Sequence, residues 1–288
     1  MGTWLIEGPQ RLVLDEGPSD ERTLGAGEQV KISSLEAWLV HGKLHVVGTE
    51  GPARVEVRKV GRRGLTVTVS GGVLSVRHDV PRSWFGWGGW FVRRGNYTAD
   101  VIIAVPPEVA ANLTVLAGDV VASGLRSRAL VDVTSGSIAL MGLGGTVRAK
   151  TVSGSIEAVG VAGDLSIEAV SGEISIAGSS ADRVHAQTIS GAITCDLDNP
   201  AVRDLSIDTV SGSITIRVPE DADLRVSLGA ASGGVTSVFP QVPATRNLGT
   251  HSASGLLGTG TGRLRAYAIS GSVCLLASPA ADDMPEAA

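Results

Sequence analysis

The sequence predicts an all-β protein, a parallel β-solenoid with short rungs of 18–21 residues, and three observations lead to this prediction. The first is a Ser-Gly pair that recurs after a small or apolar residue. The second is its spacing of 18, 18, 19, 21, 21 and 38 residues, the last being about two repeats with Ser254 as a degenerate anchor. The third is alternation of apolar and polar residues around each pair, which is typical of half-buried strands. The serines of the pairs are Ser135, Ser153, Ser171, Ser190, Ser211, Ser232 and Ser270.

Counted from each serine, positions −6, −4, −1, +3 and +5 are mostly apolar, and we expect all five columns to face the core. Positions −1, +3 and +5 share the face of positions −6 and −4 only if the chain bends between −2 and −1, so each repeat is predicted to be two strands joined at a corner that the glycine allows. Such a unit buries its apolar face only by stacking on copies of itself. The column at −1 is Val152, Val170, Ile189, Val210 and Ile269, and the column at +3 is Ile138, Ile156, Ile174, Ile193, Ile214, Val235 and Val273.

Other β architectures fit the spacing less well. A β-propeller needs about 40 residues per blade. A left-handed hexapeptide β-helix needs an apolar residue every six positions, and the apolar columns here do not keep that period. An antiparallel sandwich does not repeat one motif at the same position of every strand pair. Residues 1–107 are expected to form less regular rungs or a cap with an insertion at 81–95, and residues 108–278 the regular solenoid. We expect one continuous folding unit, with a short helix at most within 106–118, a loop at 238–262 and a disordered tail at 279–288.

Composition narrows the classes of function. The chain has 288 residues, 43% of them hydrophobic, and a net charge of −5, which excludes a disordered protein. The net negative charge argues against a nucleic-acid partner. Because no run of 18 apolar residues and no basic amino-terminal region are present, we expect neither a membrane-spanning helix nor an export signal. The expected location is therefore the cytoplasm, at the inner face of the membrane if the protein binds lipid.

The repeated [VI]-S-G-[SEA]-[IV] motif after a strand-rich front resembles a bacterial family of β-strand repeat proteins. That family is known as toastrack domains, as putative adhesins and as domain of unknown function 4097. The resemblance covers about residues 30–278. It implies a right-handed β-solenoid, and for some relatives a link to envelope-stress or membrane-associated systems. It supplies no catalytic residues.

The strongest functional candidate in the sequence is the segment PRSWFGWGGWFVRRG at 81–95, which we call the aromatic–basic segment. It holds half of the ten aromatic residues of the chain. Indole rings suit the headgroup depth of a membrane and guanidinium groups suit lipid phosphates. Trp and Arg are also enriched where proteins bind one another, and the segment could instead cap an open solenoid end. The candidate residues are Arg82, Trp84, Phe85, Trp87, Trp90, Phe91, Arg93 and Arg94, and Arg54, Arg58, Lys59, Arg62 and Arg63 would add positive charge.

Catalytic and metal chemistry have little support in the sequence. His41 and His45 flank a turn at Gly42, but no third ligand stands at metal spacing. Cys195 is predicted to point inward and Cys274 outward, which argues against a disulfide between them. We therefore expect no metal, no cofactor and no catalytic residue.

These observations predict a non-enzymatic binding or scaffold module, in its specific form attached to an anionic membrane surface or engaged with a protein partner. A second interpretation is a structural solenoid that self-assembles into homo-oligomers through its open ends. A third is a solenoid enzyme that acts on polysaccharide.

Overall fold

The computed structural model describes residues 2–14, 31–78, 97–247 and 250–278. None of these residues lies in a helix, and the strands form parallel ladders with additional antiparallel strands. The predicted fold class, an all-β parallel β-solenoid, is therefore confirmed. The chain forms two compact units, Met1–Ser137 and Ile138–Ala288, which are described separately below.

Alternating burial defines the strands of the N-terminal unit. The described strands are β1 (Gly2–Ile6), β2 (Gln10–Val13), β3 (Ser34–Gly48), β4 (Arg54–Val60), β5 (Leu65–Ser70), β6 (Val73–His78), β7 (Thr98–Val105), β8 (Ala110–Ser123) and β9 (Ala129–Ser135). The helical expectation for residues 106–118 is wrong, because β8 covers most of them. Alternate residues such as Ala111, Leu113 and Val115 are buried there, which is the strand period.

The N-terminal unit is built around β3. This long strand pairs in parallel with β8 along one edge and with β6 and β7 along the other, and β8 pairs in parallel with β9. Antiparallel pairs β1–β5, β5–β6, β2–β4 and β4–β7 are added to these parallel rungs. The β5–β6 hairpin turns at Gly71 and Gly72, both at positive φ as a two-residue hairpin loop requires.

The C-terminal unit contains the regular repeats. Its described strands are β10 (Ile138–Met141), β11 (Thr146–Ser153), β12 (Ile156–Val159), β13 (Ala162–Ser171), β14 (Ile174–Ser190), β15 (Ile193–Leu197), β16 (Asp204–Ser211), β17 (Ile214–Pro219), β18 (Leu224–Ser232), β19 (Val235–Ser237), β20 (Ala244–Asn247), β21 (Thr250–Leu256), β22 (Gly262–Ser270) and β23 (Val273–Ser278).

These strands stack into two parallel walls. The long-strand wall has the order β11, β13, β14, β16, β22, β18, and the short-strand wall has the order β10, β12, β14, β15, β17, β23, β19. The 17-residue β14 belongs to both walls. Equal repeat positions stand opposite each other, as in the pairs Ser153↔Ser171 and Ile156↔Ile174. The predicted rung of two strands joined at a corner is therefore present.

The core of the C-terminal unit is lined by four of the five predicted columns. Positions −6, −4, +3 and +5 are buried, for example Leu165, Ile167, Ile174 and Ile176. The prediction that position −1 also faces the core is wrong. Alternation continues to the end of each long strand, so position −2 points inward and position −1 points to solvent. The inward residues at −2 are Thr151, Ala169, Thr188, Thr209, Ala230 and Ala268.

Stacking order departs from chain order near the C-terminus. The last long strand, β22, inserts between β16 and β18, so the rung of Ser270 lies between those of Ser211 and Ser232. Residues 238–262, expected as a loop, contain β20 and β21, which extend the wall as an antiparallel hairpin against β18. Ser254 lies in β21 opposite Ser227 and is not a repeat anchor.

Candidate functional site

The aromatic–basic segment lies outside the described residues, as do all of its candidate residues. The interpretations of Arg82, Trp84, Phe85, Trp87, Trp90, Phe91, Arg93 and Arg94 therefore stay predictions. The two attachment points of the segment are described. His78 ends β6, and Tyr97 directly precedes β7.

The attachment points touch each other inside the N-terminal unit. The rings of His78 and Tyr97 are both buried and meet edge to face, with centroids 5.8 Å apart and planes at 79°. The backbone N–H of Val40 donates to Nδ1 of His78 at 3.3 Å, so the proton of the neutral ring sits on Nε2. Burial lowers the pKa of His78 to about 4, and the ring is therefore neutral at pH 7.

Exposed basic side chains lie on a segment beside the point where β7 begins. Arg58 and Lys59 lie near the end of β4, and Arg62 and Arg63 lie in the segment that follows; we call these four residues the basic cluster. The backbone N–H of Gly61 donates to the carbonyl oxygen of Thr98 at 2.7 Å, which holds the cluster beside the start of β7. Arg58 pairs with Glu56 at 3.0 Å, and within the described part of the chain the other three form no ion pair.

A second candidate surface is the solvent side of the long-strand wall, which we call the outer face. Its column at position −1 is an exposed apolar ladder on five adjacent strands: Val152, Val170, Ile189, Val210 and Ile269. These side chains are 43% (Val210) to 54% (Ile189) exposed. The expectation that these side chains face the core is wrong, because positions −6 and −4 set the phase that turns −1 outward.

The size of the ladder limits what it can bind by itself. An ordinary monomer has a largest apolar patch of roughly 300–600 Å², and five half-exposed side chains fall in or below that range. A stable protein–protein interface buries about 800 Å² on each partner. The ladder is therefore too small for a stable contact between globular proteins without the polar residues beside it.

Charged columns flank the ladder on the outer face. Among the first rungs, charges are matched across strands: Lys150 pairs with Glu168 at 2.7 Å, and Arg183 pairs with Asp164 at 3.3 Å. Both pairs are largely solvated, so each stabilises the fold by less than about 1 kcal/mol.

His41 and Asp119 have structural partners within the N-terminal unit. Nδ1 of His41 lies 2.7 Å from the carbonyl oxygen of Ala117. The carboxylate of Asp119 accepts hydrogen bonds from the hydroxyl and the N–H of Ser137, and these bonds lower its pKa. Among the described residues, no group of three His, Cys, Asp or Glu side chains could hold a metal ion.

The two cysteines occupy the positions that the repeat predicts. Cys195 is buried at position +5, and burial among apolar side chains raises the pKa of its thiol. Cys274 is partly exposed. We expect iodoacetamide to label Cys274 in the folded protein at least about 100-fold faster than Cys195, because the reactive species is an accessible thiolate. Intact-mass spectrometry before and after denaturation measures this, and Cys274→Ser should abolish labelling of the folded protein. Equal labelling of both cysteines would contradict the burial of Cys195.

Comparison with known proteins identifies the kind of domain. Residues 48–273 match the sequence model of the family described as Toastrack DUF4097. No curated protein matches the chain. Within the described residues there is no helix long and apolar enough to cross a membrane.

Three solved structures resemble the chain at low identity. A putative adhesin from Bacteroides fragilis NCTC 9343 has 13% identity and a TM-score of 0.42, with 85% of this chain and 93% of that chain covered. A putative adhesin from Parabacteroides distasonis ATCC 8503 has 12% identity and a TM-score of 0.35, covering 92% and 95%. A putative cell adhesion protein from Clostridium sporogenes ATCC 15579 has 10% identity and a TM-score of 0.28, covering 94% and 100%.

Proposed function

This chain belongs to the Toastrack DUF4097 family, and we propose that it is a non-enzymatic binding module that attaches to an anionic membrane surface through its aromatic–basic segment. The observation that carries the proposal is the position of the basic cluster. Its exposed side chains lie beside Thr98, the first residue of β7, which follows the aromatic–basic segment in the sequence.

Charge and aromatic content support the same surface. Residues 1–107 carry a net charge of +2, whereas residues 108–288 carry −7. Each basic side chain near an anionic bilayer contributes about 1 kcal/mol to binding, and this contribution falls off within a Debye length. Tryptophan rings add affinity at headgroup depth. The surface that fits is the inner leaflet, whose lipids carry the negative charge, so the proposed location is the cytoplasmic side of the membrane.

Co-sedimentation with lipid vesicles tests this proposal. The full chain is mixed with vesicles of phosphatidylcholine alone or with added phosphatidylserine, at low and at high salt. We expect binding only to the anionic vesicles and its loss at high salt. The variants Trp84→Ala/Trp87→Ala/Trp90→Ala and Arg62→Gln/Arg63→Gln should each bind less. The control Arg148→Gln/Arg203→Gln removes the same charge from the C-terminal unit and should bind as wild type does.

Other outcomes of these experiments would favour a different function. If wild type binds no vesicle and the triple tryptophan variant melts at a much lower temperature, the tryptophans act as a cap. If wild type binds no vesicle and the triple variant keeps its stability, a protein partner is favoured for the segment. If light scattering instead finds a concentration-dependent oligomer that the triple variant loses, self-assembly is the function. Equal loss in the Arg148→Gln/Arg203→Gln control would mean that binding depends on total charge and not on this surface.

A further inference from the structure

The far end of the outer face carries three exposed arginines that form no ion pair within the described part of the chain. Arg263 and Arg265 project to solvent from β22, and Arg225 projects from the adjacent β18 in register with Arg263. Like charges directly opposite each other on a sheet are unfavourable. Within the described part of the chain, no carboxylate lies at ion-pair distance from any of the three guanidinium groups. This differs from the first rungs of the same face, where Lys150 and Arg183 are paired.

An aromatic platform follows the arginines on the same strand. Tyr267 lies two residues beyond Arg265 on β22, on the same face, and its side chain is 47% exposed. Its cross-strand neighbour on β18 is Gly229. A Cβ atom at Gly229 would lie only 2.9 Å from Cδ2 of the tyrosine, so the ring rests on the glycine backbone. The absence of a side chain at Gly229 thus lets the ring lie on the sheet.

Hydrogen-bonding groups border the platform. On the other side of Tyr267, Asp208 of β16 lies in register with it, and the hydroxyl of Ser206 donates to the Asp208 carboxylate at 3.3 Å. Beyond Gly229, Ser252 of β21 is its register partner. Ile269, the last member of the apolar ladder, follows Tyr267 on the same face. Hydrogen-bond acceptors, guanidinium donors and an aromatic ring therefore lie together on a sheet surface.

We propose that Arg225, Arg263, Arg265 and Tyr267 form a binding site for an acidic polysaccharide, a chain of sugars that carry carboxylates. A sugar ring packs its C–H face against the tyrosine ring, whose face carries partial negative charge. Guanidinium groups bind carboxylates in a bidentate geometry. Asp208 accepts hydrogen bonds from sugar hydroxyls. The site is on the C-terminal unit and is independent of the membrane proposal.

The acidic neighbours distinguish this ligand from a nucleic acid. Single-stranded nucleic acids also stack on aromatic rings and bind arginine. However, Asp204 lies in register with Arg263, and Asp208 lies in register with Tyr267. A phosphodiester backbone offers these carboxylates no hydrogen-bond donor, whereas sugar hydroxyls donate to them. The acidic polysaccharide is therefore the ligand that uses every group of the site.

Isothermal titration calorimetry with the full chain tests the site. The probes are polygalacturonate, neutral dextran and a single-stranded oligothymidylate. We expect binding of polygalacturonate alone, with Kd raised about tenfold or more by Arg263→Gln/Arg265→Gln and by Tyr267→Ala. Tyr267→Phe keeps the ring and should bind as wild type does. Arg148→Gln removes a charge from the same column as Arg265, on β11 at the other end of the wall, and should leave Kd unchanged.

Gly229→Ala adds a test that removes no functional group. The new methyl group displaces the tyrosine ring from the sheet, so Kd should rise while the circular dichroism spectrum is unchanged. The proposal is overturned if polygalacturonate does not bind, or if Arg148→Gln weakens binding as much as Arg263→Gln/Arg265→Gln. It is also overturned if oligothymidylate binds more tightly than polygalacturonate, which would assign the site to nucleic acid.

Discussion

Gly212→Ala is expected to lower the free energy of unfolding of the C-terminal unit by about 4 kcal/mol or more. Gly212 forms the corner of a central rung at a φ of 147°, a conformation that residues with a Cβ rarely adopt. An added Cβ would lie 2.0 Å from the carbonyl oxygen of Gly191 in the adjacent rung. Relief of this overlap requires neighbouring rungs to separate, and the N–H of Gly212 would lose its hydrogen bond to Ser270.

Urea denaturation followed by far-ultraviolet circular dichroism measures this loss. The matched control is Gly234→Ala, one residue beyond the corner glycine of another rung. No heavy atom lies within 4 Å of a Cβ built at Gly234. The control should change the free energy of unfolding by less than about 1 kcal/mol. Equal stability of the two variants would mean that the corner does not need glycine.

Acidification from pH 7 to pH 5 is expected to cost the N-terminal unit about 2 kcal/mol through His78 alone. The pKa of His78 is about 4 in the folded protein because the ring is buried, and the ordinary value of 6.5 applies when the chain unfolds. The unfolded chain therefore binds more protons between these values. The contribution of His78 to the free energy of unfolding is fully present above pH 6.5 and decreases as the pH drops. It stops decreasing below pH 4, where about 3 kcal/mol has been lost.

Urea denaturation followed by tryptophan fluorescence isolates this effect, because all five tryptophans precede residue 138 in the sequence. In His78→Asn, the side-chain oxygen can replace Nδ1 as acceptor for the N–H of Val40 without titrating. This variant should lose about 2 kcal/mol less than wild type between pH 7 and pH 5. His185→Asn, which changes the C-terminal unit, should keep the wild-type loss. Parallel pH profiles for wild type and His78→Asn would contradict the buried neutral ring.

The repeat was predictable because its constraints are local. A Ser-Gly pair at a fixed interval specifies a corner, and alternation between corners specifies strands, so positions −6, −4, +3 and +5 were correctly placed in the core. Position −1 was misplaced because apolar character alone does not give the side-chain direction. That direction depends on where the bend occurs, and the strands continue to the serine before they turn.

The two candidate sites differ in the same respect, since one can be recognised in the sequence and the other is formed only by the fold. The aromatic–basic segment stands out in the sequence because five aromatic residues lie close together in a chain with few aromatics. The polysaccharide site does not, because its members are brought together by pairing between strands. Arg225 and Arg263 are 38 positions apart and face each other only because β22 inserts beside β18. The contact between Tyr267 and Gly229 depends on the same insertion.

By itself the sequence determined the all-β class, the rung length and the main core columns of this protein, since each follows from a period that neighbouring residues carry. Tertiary structure alone decided the order in which rungs stack, the solvent exposure of the ladder at position −1, and the partners of β22. Each strand could pair with the edge of more than one rung, because every rung offers the same backbone groups and similar apolar columns. The rung it pairs with is determined by packing between segments far apart in the chain, which no local period encodes.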